Sequence, residues 1–177
     1  MSNYGNIDWG TVEESQEFSN LEPGGYICRI TSAEWFGEKE YYKLEFDVAE
    51  GPQKDYYKAA YDRSGMWFGN FIKSVKPKAR GFFKGMLTAF ERSNRNFIAD
   101  RFDGHPDTLR GLMIGLIIGE EEYINKNGEK RVRNYVESQR SVDFIKAGDF
   151  AIPALKTLQS KEGQYQPITG DDPGLPF

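Results

Sequence analysis

The chain of 177 residues carries 23 Lys and Arg against 27 Asp and Glu, a formal charge of −4, with 38% hydrophobic and 15% aromatic residues. That length suits one domain plus a tail; the longest apolar run, Leu112–Ile118, is far short of a bilayer span, and Met1-Ser2-Asn3-Tyr4 has neither the basic flank nor the apolar stretch of a secretory signal. One cysteine, Cys28, excludes an internal disulfide and a thiolate zinc site, and one histidine, His105, leaves little for a metal or a general base, which weighs against many enzymes.

Charge is segregated along the chain. Residues 1–50 hold 3 basic and 11 acidic side chains, whereas residues 51–101 hold 11 basic and 4 acidic. A basic middle inside an acidic protein points to a local anion-binding surface, because fields follow where charges sit rather than their sum. The bland alternative is that folding lays the acidic first third against the basic middle and neutralises both.

Residues 1–24 read as an acidic arm broken by Glu22-Pro23-Gly24-Gly25, with Trp9 as its anchor. Alternation begins at Tyr26: residues 26–36 form a half-buried strand with Cys28 and Ile30 on one side and Arg29 and Thr31 on the other. Residues 41–49 repeat the pattern, with Tyr42, Leu44, Phe46 and Val48 inward and Tyr41, Lys43, Glu45 and Asp47 outward, until Gly51-Pro52 ends the strand. A third strand is expected from Gln53 to Tyr61, presenting Tyr57, Ala59 and Tyr61 to one face and Lys54, Tyr56 and Lys58 to the other. After an aromatic loop, the spacing predicts a helix over Pro77–Asn94, whose Phe82, Phe83, Met86, Leu87 and Phe90 form one stripe packed against the core. Leu109–Ile124 is expected as a long strand in which Gly111, Gly115 and Gly119 permit bulges or a bend. Asn127-Gly128 marks a hairpin leading into a fifth strand, Lys130–Val136. A short apolar piece, Phe150–Leu158, precedes the polar tail. Three strands, a helix and a hairpin is the order of a five-stranded Greek-key barrel of the OB type. The expected fold is thus mainly β with one helix, spanning residues 25–158 between an arm (1–24) and a tail (159–177).

Binding a single nucleic-acid strand without sequence preference needs a basic groove for the backbone and exposed rings for base stacking. The alternation sets Arg29, Tyr41, Lys43, Lys54, Tyr56 and Lys58 outward on neighbouring early strands, and the fifth strand adds Arg131, Arg133 and Tyr135. Between them, Met66-Trp67-Phe68 with Phe71 and Lys73 makes a glycine-flanked loop suited to cover a strand of DNA. Structural roles compete at several positions. A two-residue turn at Asn127-Gly128 would set Glu122 opposite Arg133 as a cross-strand ion pair. Tyr42, Tyr57 and Tyr61 share faces with aliphatic residues and read as core, while Trp67 fits core and contact equally. Glu120-Glu121-Glu122 could be taken for a metal site, but adjacent strand residues point to opposite faces, so Glu121 cannot join its neighbours without a bulge. His105, between Gly104 and Pro106, reads as a surface loop residue. Lys76-Pro77-Lys78 and Arg80 either touch phosphate at the helix start or form a solvated patch. No catalytic residue, metal or cofactor is expected.

The segment Gly170–Phe177 has the shape of a displayed peptide ligand. Asp171 and Asp172 suit a basic partner surface, while Leu175, Pro176 and Phe177 add apolar anchors and an α-carboxylate that a backbone nest can capture. It resembles the acidic Asp-Asp-Asp-Ile/Leu-Pro-Phe tip with which bacterial single-stranded-DNA-binding proteins recruit replication and repair proteins, although Pro173-Gly174 interrupts the acidic run. Across residues 20–158, the segments Gly25-Tyr26-Ile27-Cys28-Arg29-Ile30, Phe82-Phe83-Lys84-Gly85, Glu91-Arg92-Ser93-Asn94 and Glu120-Glu121-Glu122-Tyr123 resemble a family of bacteriophage early-region proteins from the recombination and replication module. That resemblance implies an OB-like, non-enzymatic, single-stranded-DNA-binding role in the bacterial host cytoplasm, and it identifies no contact residues. The expected partners are single-stranded DNA and, through the tip, a helicase, primase, recombinase or nuclease, with no membrane; the oligomeric state stays open. The alternatives are an interaction protein that inhibits host replication or defence and, last, a magnesium nuclease using the glutamates.

Overall fold

Five β-strands form one antiparallel open sheet in the order β3-β2-β1-β4-β5. They are β1 (Gly24–Phe36), β2 (Tyr41–Val48), β3 (Asn70–Ser74), β4 (Met113–Ile124) and β5 (Lys130–Arg140). The helices are α1 (Tyr56–Ser64), α2 (Arg80–Ser93) and α3 (Val142–Ala147), with 3₁₀ turns at Pro77–Ala79, Ala99–Arg101 and Pro106–Leu109. The computed structural model describes residues 7–12 and 19–159. None of its helices is long and apolar enough to cross a membrane among these residues.

Period-2 alternation builds the core face. Cys28 pairs with Val48 and Ile30 with Phe46; a bulge at Thr31 then resets the register, so that Ala33 faces Leu44 and Trp35 faces Tyr42 on the same side. Ile114, Leu116 and Ile118 continue that face onto β4, and every one of them is buried. Helix α2 closes it with Phe83, Met86, Leu87 and Phe90, spaced i, i+3, i+4, i+7. Phe82 does not belong to this stripe: one residue earlier means a rotation of about 100°, and its ring is 74% exposed. Burial pushes the Cys28 thiol up from its ordinary value, as befits a sulfur packed inside the sheet.

The segment expected as a third strand is helix α1, and the described residues hold three helices where one was expected. The cause lies in Asp47, expected outward but buried. Its carboxylate accepts from the backbone N–H of Val48 (2.9 Å), Tyr57 (2.8 Å) and Lys58 (3.0 Å), so it satisfies the first amides of a helix ten residues further on. Helical spacing then buries Tyr57 and Ala60 and leaves Ala59 and Tyr61 exposed, which moves Tyr61 out of the core. Gly65, at φ 71°, ends α1 by donating to the Tyr61 carbonyl at 2.7 Å. Gly69 packs against the Tyr57 ring and steers the chain back as β3, which takes up residues first read as loop.

Four smaller differences share the theme of local geometry overruling pattern. Residues 106–109 form a 3₁₀ turn, so β4 begins at Met113 instead of Leu109. The β4–β5 turn holds three residues, 126–128, with Gly128 at φ 77°; this shifts the register by one and sets Arg133 opposite Glu121 rather than Glu122. The arm is held not by Trp9, which is 71% exposed, but by Leu21, whose backbone N–H and C=O both bond the Asn134 side chain at 2.9 and 2.8 Å. Strand β5 also runs four residues past its expected end to Arg140 before the chain turns into α3.

Asp47→Ala leaves three amides without their acceptor and is expected to cost about 1–3 kcal/mol, with Asp47→Asn costing less. Urea denaturation followed by circular dichroism checks both, and equal stability of Asp47→Ala and the parent would reject the capping role.

Candidate nucleic-acid interface

The outer face of β1, β2 and β3 carries three cross-strand rows: Phe36–Tyr41–Ser74, Glu34–Lys43–Ile72 and Ser32–Glu45–Asn70. In the first row, Phe36 and Tyr41 are stacked, ring centroids 5.0 Å apart with 30° between planes. Both are half-buried, and both flank the Gly37–Glu40 loop joining β1 to β2. Phe36 has no place among the residues expected from sequence; its signal was the hydrophobic residue at the end of an alternating run, opposite Tyr41 across a tight hairpin. Lys43 lies between Glu34 on β1 and Ile72 on β3. Arg29 is exposed further along the same face, flanked by Asp47 and Met113.

Helix α3 and Phe150 cover the same side of the sheet over β1 and β4. A Cβ at Gly25 would collide with the Phe150 ring, and one at Gly115 would collide with Ile145 and lie 2.7 Å from the Ser141 carbonyl, so glycine at both positions lets this layer sit directly on the sheet backbone. The cover divides the outer face into a β1–β2–β3 patch and a second patch on the β4–β5 hairpin.

The other expected contacts are dispersed. Lys54 sits in the turn before α1 and Lys58 on α1 itself, paired with Asp62 at 3.1 Å, so neither extends a row of strand residues. Tyr56 is half-buried and its hydroxyl bonds the Ser19 carbonyl; burial, with Tyr26 close by, pushes that phenol up to about 12. Tyr56 therefore fastens the arm. Trp67 donates its indole N–H to the Gly69 carbonyl at 3.1 Å with its ring 6.1 Å from Tyr61, while Phe68 is 55% exposed. Phe71 is buried in β3 opposite Leu44, which removes it from the loop set. Lys73 faces the core side of β3 opposite Tyr42, and burial lowers its pKa.

On the second patch, Arg133 pairs with Glu121 at 2.9 Å and lies 4.5 Å from the Tyr123 ring centroid, and Arg131 pairs with Glu129 at 2.7 Å. Tyr135 is committed on both sides. One side of its ring lies on Gly119, where an added Cβ would come within 2.7 Å, and the Lys156 ammonium sits 4.0 Å from the ring centroid. Lys156 arrives on a strap that bridges β4 in parallel at Glu121, with Glu122 donating to the Lys156 carbonyl and Lys156 to the Glu120 carbonyl. Glu121 and Glu122 thus point to opposite faces, as strand geometry requires. His105 is exposed and accepts from the Asp107 N–H. Asp171, Asp172, Leu175, Pro176 and Phe177 lie outside the described residues.

No protein-family model matches this chain, and no curated protein sequence matches it.

Tyr135→Ala is expected to destabilise by about 1–2 kcal/mol, because Gly119 loses its cross-strand cover. Phe36→Ala is expected to cost less than about 1 kcal/mol. Chemical denaturation of both variants checks the division into structural and accessible rings. A double-mutant cycle on Glu121 and Arg133 should give a coupling of about 0.2–1 kcal/mol that shrinks with salt.

Proposed function

We propose that the protein is an OB-type single-stranded-DNA-binding protein of a replication or recombination system, acting without catalysis. The observation that carries this reading is the strand order: β1 pairs with both β2 and β4, α2 lies between β3 and β4, and the edge strands β3 and β5 come close together. OB barrels use the face of strands 2 and 3, together with the loops joining strands 1–2 and 4–5, to hold oligonucleotides. Here those positions carry the Phe36–Tyr41 stack, Lys43 and Ile72, with Lys126 and Lys130 around the 4–5 turn. Stacked rings offer their faces to any base, which gives affinity without sequence preference. The tip residues Asp171 to Phe177 remain the proposed recruiting element for a helicase, primase, recombinase or nuclease, a reading that rests on their sequence alone.

A second reading, a protein that binds another protein instead of DNA, is favoured by Glu34 and Glu45 beside Lys43, which leave the centre of the β1–β2–β3 face without net positive charge.

Fluorescence anisotropy with labelled oligo-dT separates the two. Oligo-dT should bind more tightly than duplex DNA of equal length, with log K falling by about 0.7 per phosphate contact for each decade of salt. Phe36→Ala and Tyr41→Ala should each cost about 1–3 kcal/mol of binding, whereas charge reversal at Lys54 plus Lys58 should cost much less. Equal affinity for single and double strands, or no binding at all, would leave the protein-binding reading standing. Deleting residues 171–177 should remove a partner's binding in a pull-down with purified replication proteins while leaving oligo-dT affinity unchanged or higher.

A further inference from the structure

Past Ile118, which pairs with Gly24, strand β4 outruns β1, and the backbone groups on that side of it meet a different segment. The Glu122 N–H donates to the Lys156 carbonyl at 2.8 Å and the Lys156 N–H to the Glu120 carbonyl at 3.0 Å, while the Leu158 N–H donates to the Glu122 carboxylate at 3.1 Å. The strap that brings these groups is rooted at Phe150, which packs on Gly25 and stacks on Phe144 with ring centroids 5.9 Å apart. Between root and clamp it is bare. Among the described residues none of 151–155 makes a hydrogen bond, and Ile152 and Leu155 are exposed. A segment that orders its backbone without burying its apolar side chains gains little beyond its clamp, and such segments open locally while the rest of the fold stays closed.

The clamp also covers a ring. Tyr135 lies on Gly119 on one side, and on the other the Lys156 ammonium sits 4.0 Å from the ring centroid, in the place a stacked base would take. The same side of the hairpin continues through the cross-strand pairs Arg133–Glu121 and Arg131–Tyr123, with the Arg133 guanidinium 4.5 Å from the Tyr123 ring centroid. A flat ring backed by a glycine, with two arginines beyond it, is a stacking platform beside phosphate contacts that lacks only access to its upper side. We infer that the strap is a displaceable cover, and that the side of Tyr135 it occupies takes a base of a single strand when it lifts. This rests on the nucleic-acid reading above and adds a closed state to it. The β4–β5 half of the surface is shut by the chain's own Lys156, and a strand competes with that ammonium for one ring.

Hydrogen exchange of the full chain without DNA reads the strap itself. Amides alternate along β4, so that of Glu122 faces the strap while those of Glu121 and Tyr123 face β5. The Glu122 amide should exchange at least tenfold faster than the other two; equal protection of all three would overturn the inference. Anisotropy with labelled oligo-dT reads the ring. Lys156→Pro removes both the ammonium and the bridging N–H and should bind at least threefold more tightly than the parent, although loss of a cation alone would weaken binding. Lys156→Ala keeps the bridge and should show a smaller gain, with urea midpoints near the parent's in both variants. In a Tyr135→Leu chain, where Gly119 stays covered but no ring remains, Lys156→Pro should give no gain. Unchanged or weaker binding by Lys156→Pro, or a gain that survives Tyr135→Leu, would overturn the inference and leave the nucleic-acid reading standing. No binding by the parent or by any variant would remove both.

Discussion

Asp47 decides where the chain leaves the sheet. A strand that simply continued past Val48 would carry Tyr56 to Tyr61 along the sheet edge as alternating rows. Instead one buried carboxylate gathers three amides, stops β2 and starts α1. Burial raises its pKa above the ordinary aspartate value, and the three amide bonds work in the opposite direction. Everything that depends on the position of β3 follows from this turn. Tyr57 enters the core against Phe46 with ring centroids 5.2 Å apart, Gly69 closes over it, and the returning strand lines up with β2 from Glu45 to Tyr41. The β1–β2–β3 outer face exists because the chain is removed from the sheet and brought back.

That constraint also explains which parts of the fold were legible in the sequence. Strands β1, β2 and β4 and helix α2 announce themselves because their apolar periods are local and long. The Gln53–Tyr61 segment satisfies two periods at once. Tyr57, Ala59 and Tyr61 read as a strand, Tyr57 and Ala60 as a helix, and the arbiter is a carboxylate ten residues back whose role no local window contains. The helical signals that were local are Lys58 with Asp62 at i, i+4 and Gly65 as the C-terminal stop. Strand β3 escaped because five residues give too short a run for alternation to stand out. The hairpin was legible as a hairpin but not in register, since Asn125 holds Glu129 through both backbone and side chain and so adds a third residue to the turn.

The candidate site divides along the same line. Sequence alternation separates inward from outward as far as the bulge at Thr31 on β1 and from Tyr41 to Phe46 on β2, so Arg29, Tyr41 and Lys43 stand where expected. It gives no account of what later packs on the outside. Tyr135 is outward on β5, yet it is enclosed by Gly119 beneath and Lys156 above, and the strap that brings Lys156 comes from 21 residues further along. Phe36 is the converse case: it closes a strand in which Glu34 and Trp35 are exposed, and it stacks on Tyr41 across the hairpin.

Charge segregation takes a different meaning once the fold is drawn. The alternative that the acidic first third neutralises the basic middle predicts ion pairs between them. Among the described residues, Lys58 and Lys84 find Asp62 and Asp100, both within the middle segment. The first third does pair with itself and with β3 through the sheet, yet its cross-strand rows set Lys43 beside carboxylates and leave the α2 cations outside. Lys78 and Arg80, where α2 begins, are exposed. Lys76, Lys78 and Arg80 repel one another across this turn, and that repulsion is strongest at low salt. Binding an anion there relieves repulsion as well as forming contacts, so such an association should carry a steeper salt dependence than its few ion pairs alone would give.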